Sequence, residues 1–554
     1  MKNWRINLIF TFFGIFWAAI FARLIFLQIF ERGFYQAQAL GQQMKLEEVE
    51  GQRGEIFFKG NTKSLAINKE KWQLYLLPKE IKDKKIVAET LANILNISSD
   101  SILLKIEKEK NFLTIKSKLT DEETEKLKNL RLEGVHLEKV FGRYYPQNNL
   151  ASQVVGFLGG DGKGQYGLEG YYDDILKGEI GYKEEVKGFI FSDLENLKPT
   201  ENGSSLYLTI DYNIQFIAES LLKDAEADLD IEAGQIIVLE PKTGKIIALA
   251  NFPNFNPNEY SKEKNFEIFQ NGAIQKIFEP GSSFKAVTMA IALNEGKITP
   301  ETTYYDKGFI KVGAETIYNY DKRVYGQKSM AEVLEKSINT GAVFAVQSVP
   351  KDIYLKYLDK FGINEKTGID LQGEIFSINT NLKNGKEINL ATASFGQGIE
   401  MTPLNLAQAF CVIANGGKLI KPYVVEKIVD GIGTEIETQP VILEEGILTN
   451  QTVTQLTTML INVVENGYGK KAKVPGYYIA GKTGTAEVPV GGKYDPNKTI
   501  QGFAGFAPAL NPRFVILVKL DNPKVKTAEY SAAPVFGKLA KYILDYWQIP
   551  PDYE

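Results

Sequence analysis

Three short patterns follow one another along the chain: Ser282-Ser283-Phe284-Lys285, Ser337-Ile338-Asn339 and Lys482-Thr483-Gly484-Thr485. The first offers a nucleophilic hydroxyl with an amine three residues on. The second sets a hydroxyl two residues from an amide. The third supplies an ammonium, two hydroxyls and a glycine. In that order they imply a serine acyltransferase whose base is lysine. The rest of the composition supports a lysine base. The chain has one histidine, His136, and one cysteine, Cys411, among 554 residues. No intrachain disulfide is possible, and a His/Cys zinc site is excluded. A Ser-His-Asp triad would need His136, which lies in the charged stretch 133–139 without catalytic context.

Each pattern alone is weak, because the chain repeats all three. Ser220, Ser261 and Ser348 also begin Ser-x-x-Lys; Ser377-Ile378-Asn379 repeats the second; Lys242-Thr243-Gly244 and Lys366-Thr367-Gly368 repeat the third. Context separates them. Ser282 follows Glu279-Pro280-Gly281 and opens an apolar helical run over 284–293. Its hydroxyl is therefore expected at a helix N-terminus, where free N–H groups favour developing negative charge. Lys285 then stands one turn on, on the same face. Ser220 falls inside a helical pattern, Ser261 among charges, and Ser348 shortly before Pro350. Ser337 and Asn339 point one way in an extended or loop backbone, or cap the helix that follows; both roles are compatible. Ser377 lies in the polar stretch 377–386 and reads as a loop.

Among the three Lys-Thr-Gly patterns, only Lys482 follows an apolar run and continues with a second threonine, Thr485. Gly484 lets a ligand backbone approach the strand. Thr483 and Thr485 share one strand face, whereas alternation sends Lys482 to the other, so it can reach the site only around a strand edge. Lys242-Thr243-Gly244 reads as a hairpin turn and Lys366-Thr367-Gly368 as the end of a helix.

The elements around these residues are legible in outline. The segment 234–252 is a β-hairpin pattern, with two apolar runs around Pro-Lys-Thr-Gly, and the stretch before it has helical spacing. "YYIAGKTGTAEV", "QGFAGFAP" and "RFVILVKL" read as strands, and "PVFGKLAKYILDYW" as a closing helix. Strands at both ends with helices between predict an α/β sandwich with a mostly antiparallel sheet. From 31 to 200 the chain alternates Lys/Glu-rich helical patterns with short strands and concentrates no reactive groups. One example, "TDEETEKLKNL", carries an N-capping threonine. That region reads as a structural or partner-binding module.

The size suits two or three domains, and 44% hydrophobic against 24% charged residues marks a folded chain. A net charge of -4 gives no reason to expect nucleic-acid binding. Residues 6–22 carry no charge and are dense in Phe, Ile and Leu, with Lys2 and Arg5 before them. As a helix they span roughly 26 Å, close to the hydrocarbon thickness of a bilayer. An uncleaved anchor with a cytoplasmic start is expected over 6–30, since no small-x-small cleavage site follows. The bulk of the chain would then lie outside the membrane on the far side.

With these residues in hand, the chain resembles the class B penicillin-binding proteins, the monofunctional peptidoglycan transpeptidases. The resemblance covers almost the whole chain. It rests on "RLIFLQI", "RGEIFFKG", "RYYPQNNLASQVVGFLG", "GQYGLEGYYDDILKGEIG", "EPGSSFK", "ATASFGQGIEMTPLNLAQAF" and "AGKTGTAEV". Two departures stand out: Phe57-Phe58 where the family usually has Asp-Arg, and Ile338 where many members carry a second serine.

The resemblance implies residues 1–5 as a cytoplasmic tail, 6–30 as a transmembrane helix, 31–200 as an elongated α+β pedestal and 201–554 as the transpeptidase domain. That last domain would be a penicillin-binding, serine-lactamase-like α/β fold. It implies attack by Ser282 on the D-Ala-D-Ala end of a stem peptide, with Lys285 as base and Ser337 as proton relay. Asn339 would hold the substrate backbone; Lys482, Thr483 and Thr485 would fix the terminal carboxylate. The oxyanion hole would be the N–H groups of Ser282 and Thr485. No metal or organic cofactor is implied. β-Lactams are the expected inhibitors and a membrane glycosyltransferase the expected partner, at a bacterial inner membrane. "FGQGIEMTP" and the Pro-Lys of "LDNPK" resemble the cell-division type. Alternatives are an elongation-type enzyme, a D,D-carboxypeptidase, a β-lactamase or β-lactam sensor, and a non-catalytic scaffold.

Overall fold

The computed structural model describes residues 4–25, 44–61, 63–109, 111–117, 119–130, 132–186, 196–198, 201–490 and 493–553. By contact the chain divides into two units, Met1–Arg53 with Lys177–Gly203, and Gly54–Leu176 with Ser204–Glu554. This division falls at other positions than the expected segments 31–200 and 201–554.

The first unit contains the helix Trp4–Ile25 and a three-stranded antiparallel sheet of Met44–Glu50, Ile180–Val186 and Asn196–Lys198. Phe12, Phe13, Ile15, Phe16, Trp17 and Phe21 on that helix are all exposed. Among the described residues, no helix is long and apolar enough to cross a membrane. The span expected over 6–30 is thus not established by the fold, and its residues 26–30 lie outside those described, as do 31–43 of the expected pedestal.

The second unit ties early and late parts of the chain together. Ser205–Leu208 pairs in parallel with Ile56–Phe57 and antiparallel with Val425–Val429. Phe57 and Tyr207 stack at 5.0 Å. Ile56, Phe58, Leu65, Val154 and Leu168 belong to the same core as Leu206, Leu239, Phe284 and Phe410. His136 sits in the strand Val135–Tyr144, stacked on Tyr75 and 3.0 Å from Glu80. That is a strand-surface role. Thr120 caps the helix Asp121–Lys128 with a reciprocal bond to Glu123, as its pattern predicts.

The reactive patterns lie on a sandwich within this unit. Its helices are α1 (Tyr212–Leu229), α2 (Lys285–Asn294), α3 (Asn339–Gln347), α4 (Pro403–Ala414), α5 (Asn450–Glu465) and α6 (Ala532–Tyr546). Its strands are β1 (Ala233–Leu239), β2 (Ile246–Phe252), β3 (Ala480–Val490), β4 (Lys493–Ala507) and β5 (Phe514–Asp521). They form one antiparallel sheet in the order β2-β1-β5-β4-β3, which leaves β3 at an edge.

Strict alternation feeds two cores from one sheet. Ile236, Val238, Ile516 and Val518 face α1 and α6, while Ile237, Leu239, Val515 and Leu517 face the other side. Burial on both faces is why these strands read as continuous apolar runs. α2 is buried along its length from Lys285 to Leu293. The expected hairpin turn at Lys242-Thr243-Gly244 is present, with Gly244 at φ 82° between β1 and β2.

One expectation fails. Lys366-Thr367-Gly368 does not end a helix. The preceding helix, Lys351–Lys360, stops where Gly362 takes φ 70°. Thr367 instead lies in an irregular loop, where its N–H and hydroxyl and the Gly368 N–H donate to Glu374.

The shared core makes a prediction. A chain beginning at Ser204 loses Ile56–Phe57, one of the two partner strands of Ser205–Leu208, and uncovers Leu206 and Leu208. It should melt at a lower temperature and acylate more slowly with a labelled penicillin than a chain that keeps 54–176. Equal melting and acylation would show that the shared core is dispensable.

Candidate active site

Ser282 lies on a 3-10 turn, Gly281–Phe284, that runs directly into α2. The two adjacent serines have different surroundings. Ser283 is buried and donates to the Pro280 carbonyl at 2.6 Å, whereas Ser282 is partly open to solvent. Lys285, fully buried, is one turn on, and its Nζ is 3.0 Å from Ser282 Oγ. The same Nζ is 2.6 Å from the Ser337 carbonyl, 3.2 Å from Ser337 Oγ and 2.8 Å from Asn339 Oδ1.

Ser337 reaches this point through a helix ending. The helix Met330–Glu335 closes with the Ser337 N–H on the Leu334 carbonyl and the Ile338 N–H on the Val333 carbonyl. That is a Schellman arrangement, in which the residue at φ 54° is Ser337. Glycine is the usual occupant, and a serine there costs about 1–2 kcal/mol. Ile338 supplies the buried hydrophobic contact of the motif, next to Val333. Its departure from serine therefore concerns the packing of the turn. Asn339 is the first residue of α3, with no side-chain cap in use. Its Oδ1 faces Lys285 and its Nδ2 donates to the Tyr318 carbonyl at 3.2 Å.

Lys482 comes from β3 and is fully buried. Its Nζ is 2.9 Å from Ser337 Oγ, 3.1 Å from the Thr483 carbonyl and 3.3 Å from Thr483 Oγ1. Lys482 stands opposite Ala504, which belongs to the core packed on α2 and Ile338, so the lysine reaches Ser337 from that face of the sheet and not around the strand edge. Ser337 Oγ is thus shared between two lysines. Burial, and secondarily the charge of Lys482, holds Lys285 well below the ordinary lysine range. Burial brings Lys482 down to about 7.

Close backbone approach joins the turn to the strand. A Cβ on Gly281, whose φ is 54°, would meet the Thr485 carbonyl oxygen at 2.7 Å and the Thr485 nitrogen at 3.1 Å. A Cβ on Gly484 would meet the Pro280 carbonyl oxygen at 2.6 Å. The backbones around Ser282 and Thr485 are therefore packed together. Thr485 Oγ1 accepts from the Ala528 N–H at 3.3 Å.

Several residues here were not marked by sequence reasoning. Asp306, buried, accepts from Asn319 Nδ2, from Thr340 Oγ1 at 2.7 Å and from the Tyr325 N–H at 2.8 Å. It fixes the wall beside Asn339. Glu279 accepts from the Gly398 N–H at 3.0 Å and from Tyr494 Oη at 3.1 Å, and burial raises its carboxyl above the usual range. The fragments "EPGSSFK" and "FGQGIEMTP" contain Glu279 and Gly398, but no spacing rule pairs them.

The repeated patterns fall elsewhere. Ser220 and Ser261 are exposed, and Ser348 Oγ donates to the Ala345 carbonyl at 2.6 Å. Ser377, in a loop, donates to Glu400. Lys242 is exposed beside Asn511. Among the described residues, no group of three or more His, Cys, Asp or Glu could hold a metal ion.

A two-faced antiparallel sheet, a serine on a buried helix and a lysine on the edge strand together define a serine acyltransferase of the penicillin-binding type. A family model described as the penicillin binding protein transpeptidase domain matches residues 234–541, and one described as the penicillin-binding protein dimerisation domain matches 48–208. The chain belongs to the class B penicillin-binding proteins. It is 33% identical over 513 residues to stage V sporulation protein D of Bacillus subtilis, covering 91% of this chain and 79% of that protein. It is 30% identical over 561 residues to a probable peptidoglycan D,D-transpeptidase of Neisseria meningitidis, covering 99% and 94%. A crystal structure of penicillin-binding protein 3 from Mycobacterium tuberculosis, complexed with ampicillin, superposes with a TM-score of 0.72 at 26% identity, covering 92% of this chain and 98% of that one.

The close approach at Gly484 can be tested directly. Gly484→Ala should push β3 from the Ser282 turn and slow acylation by a penicillin roughly 100-fold, the scale of a 1 Å misplacement. Stopped-flow acylation of a variant that still melts cooperatively measures this; an unchanged rate would show that strand and turn do not need this contact.

Proposed function

We propose that the protein is a peptidoglycan D,D-transpeptidase that cross-links stem peptides through an acyl-enzyme on Ser282. The observation that carries this reading is the hydrogen-bond arithmetic at Lys285. A neutral lysine has two N–H donors and one lone pair. The Ser337 carbonyl and Asn339 Oδ1 can only accept, and they lie at 2.6 and 2.8 Å. They take both donors. The lone pair is left for a hydroxyl, and Ser282 Oγ is at 3.0 Å. Lys285 is thereby set to take the Ser282 proton as the oxygen attacks the penultimate carbonyl.

The developing oxyanion is held by the N–H groups of Ser282 and Thr485, at about 3 kcal/mol per donor. The proton then passes through Ser337 Oγ, which lies between the two lysines, to the departing D-Ala nitrogen. Asn339 holds the substrate backbone. Lys482, Thr483 and Thr485 fix the terminal carboxylate, with Gly484 allowing close approach. An amine from a second stem attacks the ester, and Ser282 is regenerated. β-Lactams acylate Ser282 by the same attack. The reaction draws on no metal or organic cofactor.

We assign residues 31–200 the role of a pedestal, 201–554 that of the transpeptidase domain, and 6–30 that of a single-pass anchor in a bacterial cell membrane. Residues 1–5 are then cytoplasmic and the bulk extracytoplasmic. The charge-free run at 6–22 and the exposed aromatic side chains of Trp4–Ile25 support the anchor. A membrane glycosyltransferase is the proposed partner, and "FGQGIEMTP" and "LDNPK" favour septal wall synthesis. A role in sporulation is the second reading, favoured by the name of the 33%-identical relative. Fluorescent tagging in the native host separates the two.

Labelled penicillin followed by peptide mapping should place the adduct on Ser282. Ser282→Ala should abolish it, and Lys285→Ala should slow it by about 10²–10⁴-fold, as loss of a general base does. Lys242→Ala and Lys366→Ala should leave it near wild type; adduct on another residue would remove the assignment.

The acylation rate should rise with pH as Lys285 loses its proton, and that limb should lie well below the ordinary lysine range. Removing the Lys482 charge raises the Lys285 pKa, so in Lys482→Met the residual rate should show the limb displaced to higher pH. An unmoved limb, or one displaced downward, would mean that Lys285 is not the group being titrated.

A further inference from the structure

The acylation half of the reaction employs every residue of the three patterns, yet none of them recognises the incoming amine. In water that amine is an ammonium, with a pKa near 10.4 for a lysine-like side chain. Thr483, Thr485 and Glu487 occupy alternate positions of β3 and so share a face. Glu487 lies about 7 Å beyond Thr485 along the strand, in register with Thr499. Its side chain is exposed, and among the described residues no hydrogen bond or ion pair engages its carboxylate.

Two half-exposed tyrosines lie close enough to feel its charge, and one of them, Tyr494, is in register with Pro489, two residues further along β3. Tyr320, 51% exposed, lies on the turn that follows the wall strand Glu315–Tyr318. Tyr494, 42% exposed, lies on β4 with its hydroxyl on Glu279. The Tyr320 phenol is raised by burial and by Asp321, with Glu487 contributing. The Tyr494 phenol is raised by burial and Glu279, again with Glu487 contributing. The cations nearest in sequence on the wall are engaged elsewhere. Arg323 donates to Tyr468 Oη at 2.8 Å, and Lys322 lies over the Tyr318 ring. A free carboxylate beside aromatic rings is suited to an ammonium, which the ring faces also attract.

We propose that Glu487, flanked by Tyr320 and Tyr494, is a positioning residue that holds the ammonium of the acceptor stem at the mouth of the site. The inference rests on the transpeptidase reading. The captured ammonium sheds one proton to water. The neutral nitrogen then attacks the acyl carbonyl, the C–N bond forms, the C–O bond to Ser282 breaks, and the second nitrogen proton returns to Ser282 Oγ through Lys285.

The test uses the purified full chain in detergent, a D-Ala-D-Ala-terminated pentapeptide donor and a peptide bearing one lysine-like amine as acceptor. Amide and acid products are quantified by mass spectrometry. Both arise from one acyl-enzyme, so their ratio is independent of the acylation rate. At low salt Glu487→Gln should lower the amide-to-acid ratio about fivefold, the scale of one exposed charge pair. Glu487→Lys should lower it further, and Glu487→Asp should restore most of it. The difference between wild type and Glu487→Gln should shrink near 1 M salt, where the Debye length is about 3 Å. An unchanged ratio in Glu487→Gln, or a loss that ignores salt, would overturn the proposal. A wild-type enzyme that yields acid alone with every amine would overturn the transpeptidase reading itself, and this inference with it.

Discussion

A buried amine with four oxygen atoms around it sets the terms for everything near it. Lys285 Nζ lies within 3.2 Å of Ser282 Oγ, the Ser337 carbonyl, Ser337 Oγ and Asn339 Oδ1. An ammonium there satisfies three of the four, and desolvation opposes its charge. A neutral amine satisfies the two obligate acceptors and turns its lone pair to a hydroxyl. The balance therefore rests on burial and on Lys482, the two influences that lower the Lys285 pKa. A more open cleft would return the charge and remove the base.

Keeping that amine dry and aimed requires several features that make little sense separately. α2 must be apolar on all sides, because Lys285 is placed inside the core along with its neighbours. Ser337 must occupy a left-handed position that glycine would fill with less strain. The strain is retained at the point where the residue's carbonyl and hydroxyl both face the lysines, as expected where the surrounding structure over-determines a backbone. Asp306 holds the wall beside Asn339 through Asn319 and Thr340, while the amide itself is fixed by Lys285 and by the Tyr318 carbonyl.

Much of this was legible from residue types and spacing. The helix-borne serine, the lysine one turn on and the strand character around Lys482 follow from periodicity and apolar context. Context also separated Ser282 from Ser220, Ser261 and Ser348, because an apolar run after a proline-glycine turn marks a buried helix start. What stayed hidden depends on distance in three dimensions. Nothing in the order of residues joins Glu279 to Gly398, or Asp306 to Thr340. Lys366-Thr367-Gly368 resembled a helix ending because the glycine that does end the helix, Gly362, lies upstream of it. The contact division escaped the composition argument for a similar reason. Ser205–Leu208 reads as the start of a new module, yet its partner, Ile56–Phe57, is at the other end of the first.

The position of β3 at the sheet edge reconciles two demands that conflict elsewhere in a fold. A strand paired on both sides offers no free backbone to an extended substrate, while an isolated strand cannot hold a buried lysine. β3 pairs along β4 through its Lys-Thr-Gly-Thr segment, which fixes Lys482 opposite Ala504 and Thr485 opposite Gln501. Its other side stays free to receive a peptide by strand addition. The 3-10 turn carrying Ser282 packs against β3 at the separation that Gly281 and Gly484 permit. That contact brings the nucleophile to the strand without pairing its free side, so placement of the strand and assembly of the site are one structural event.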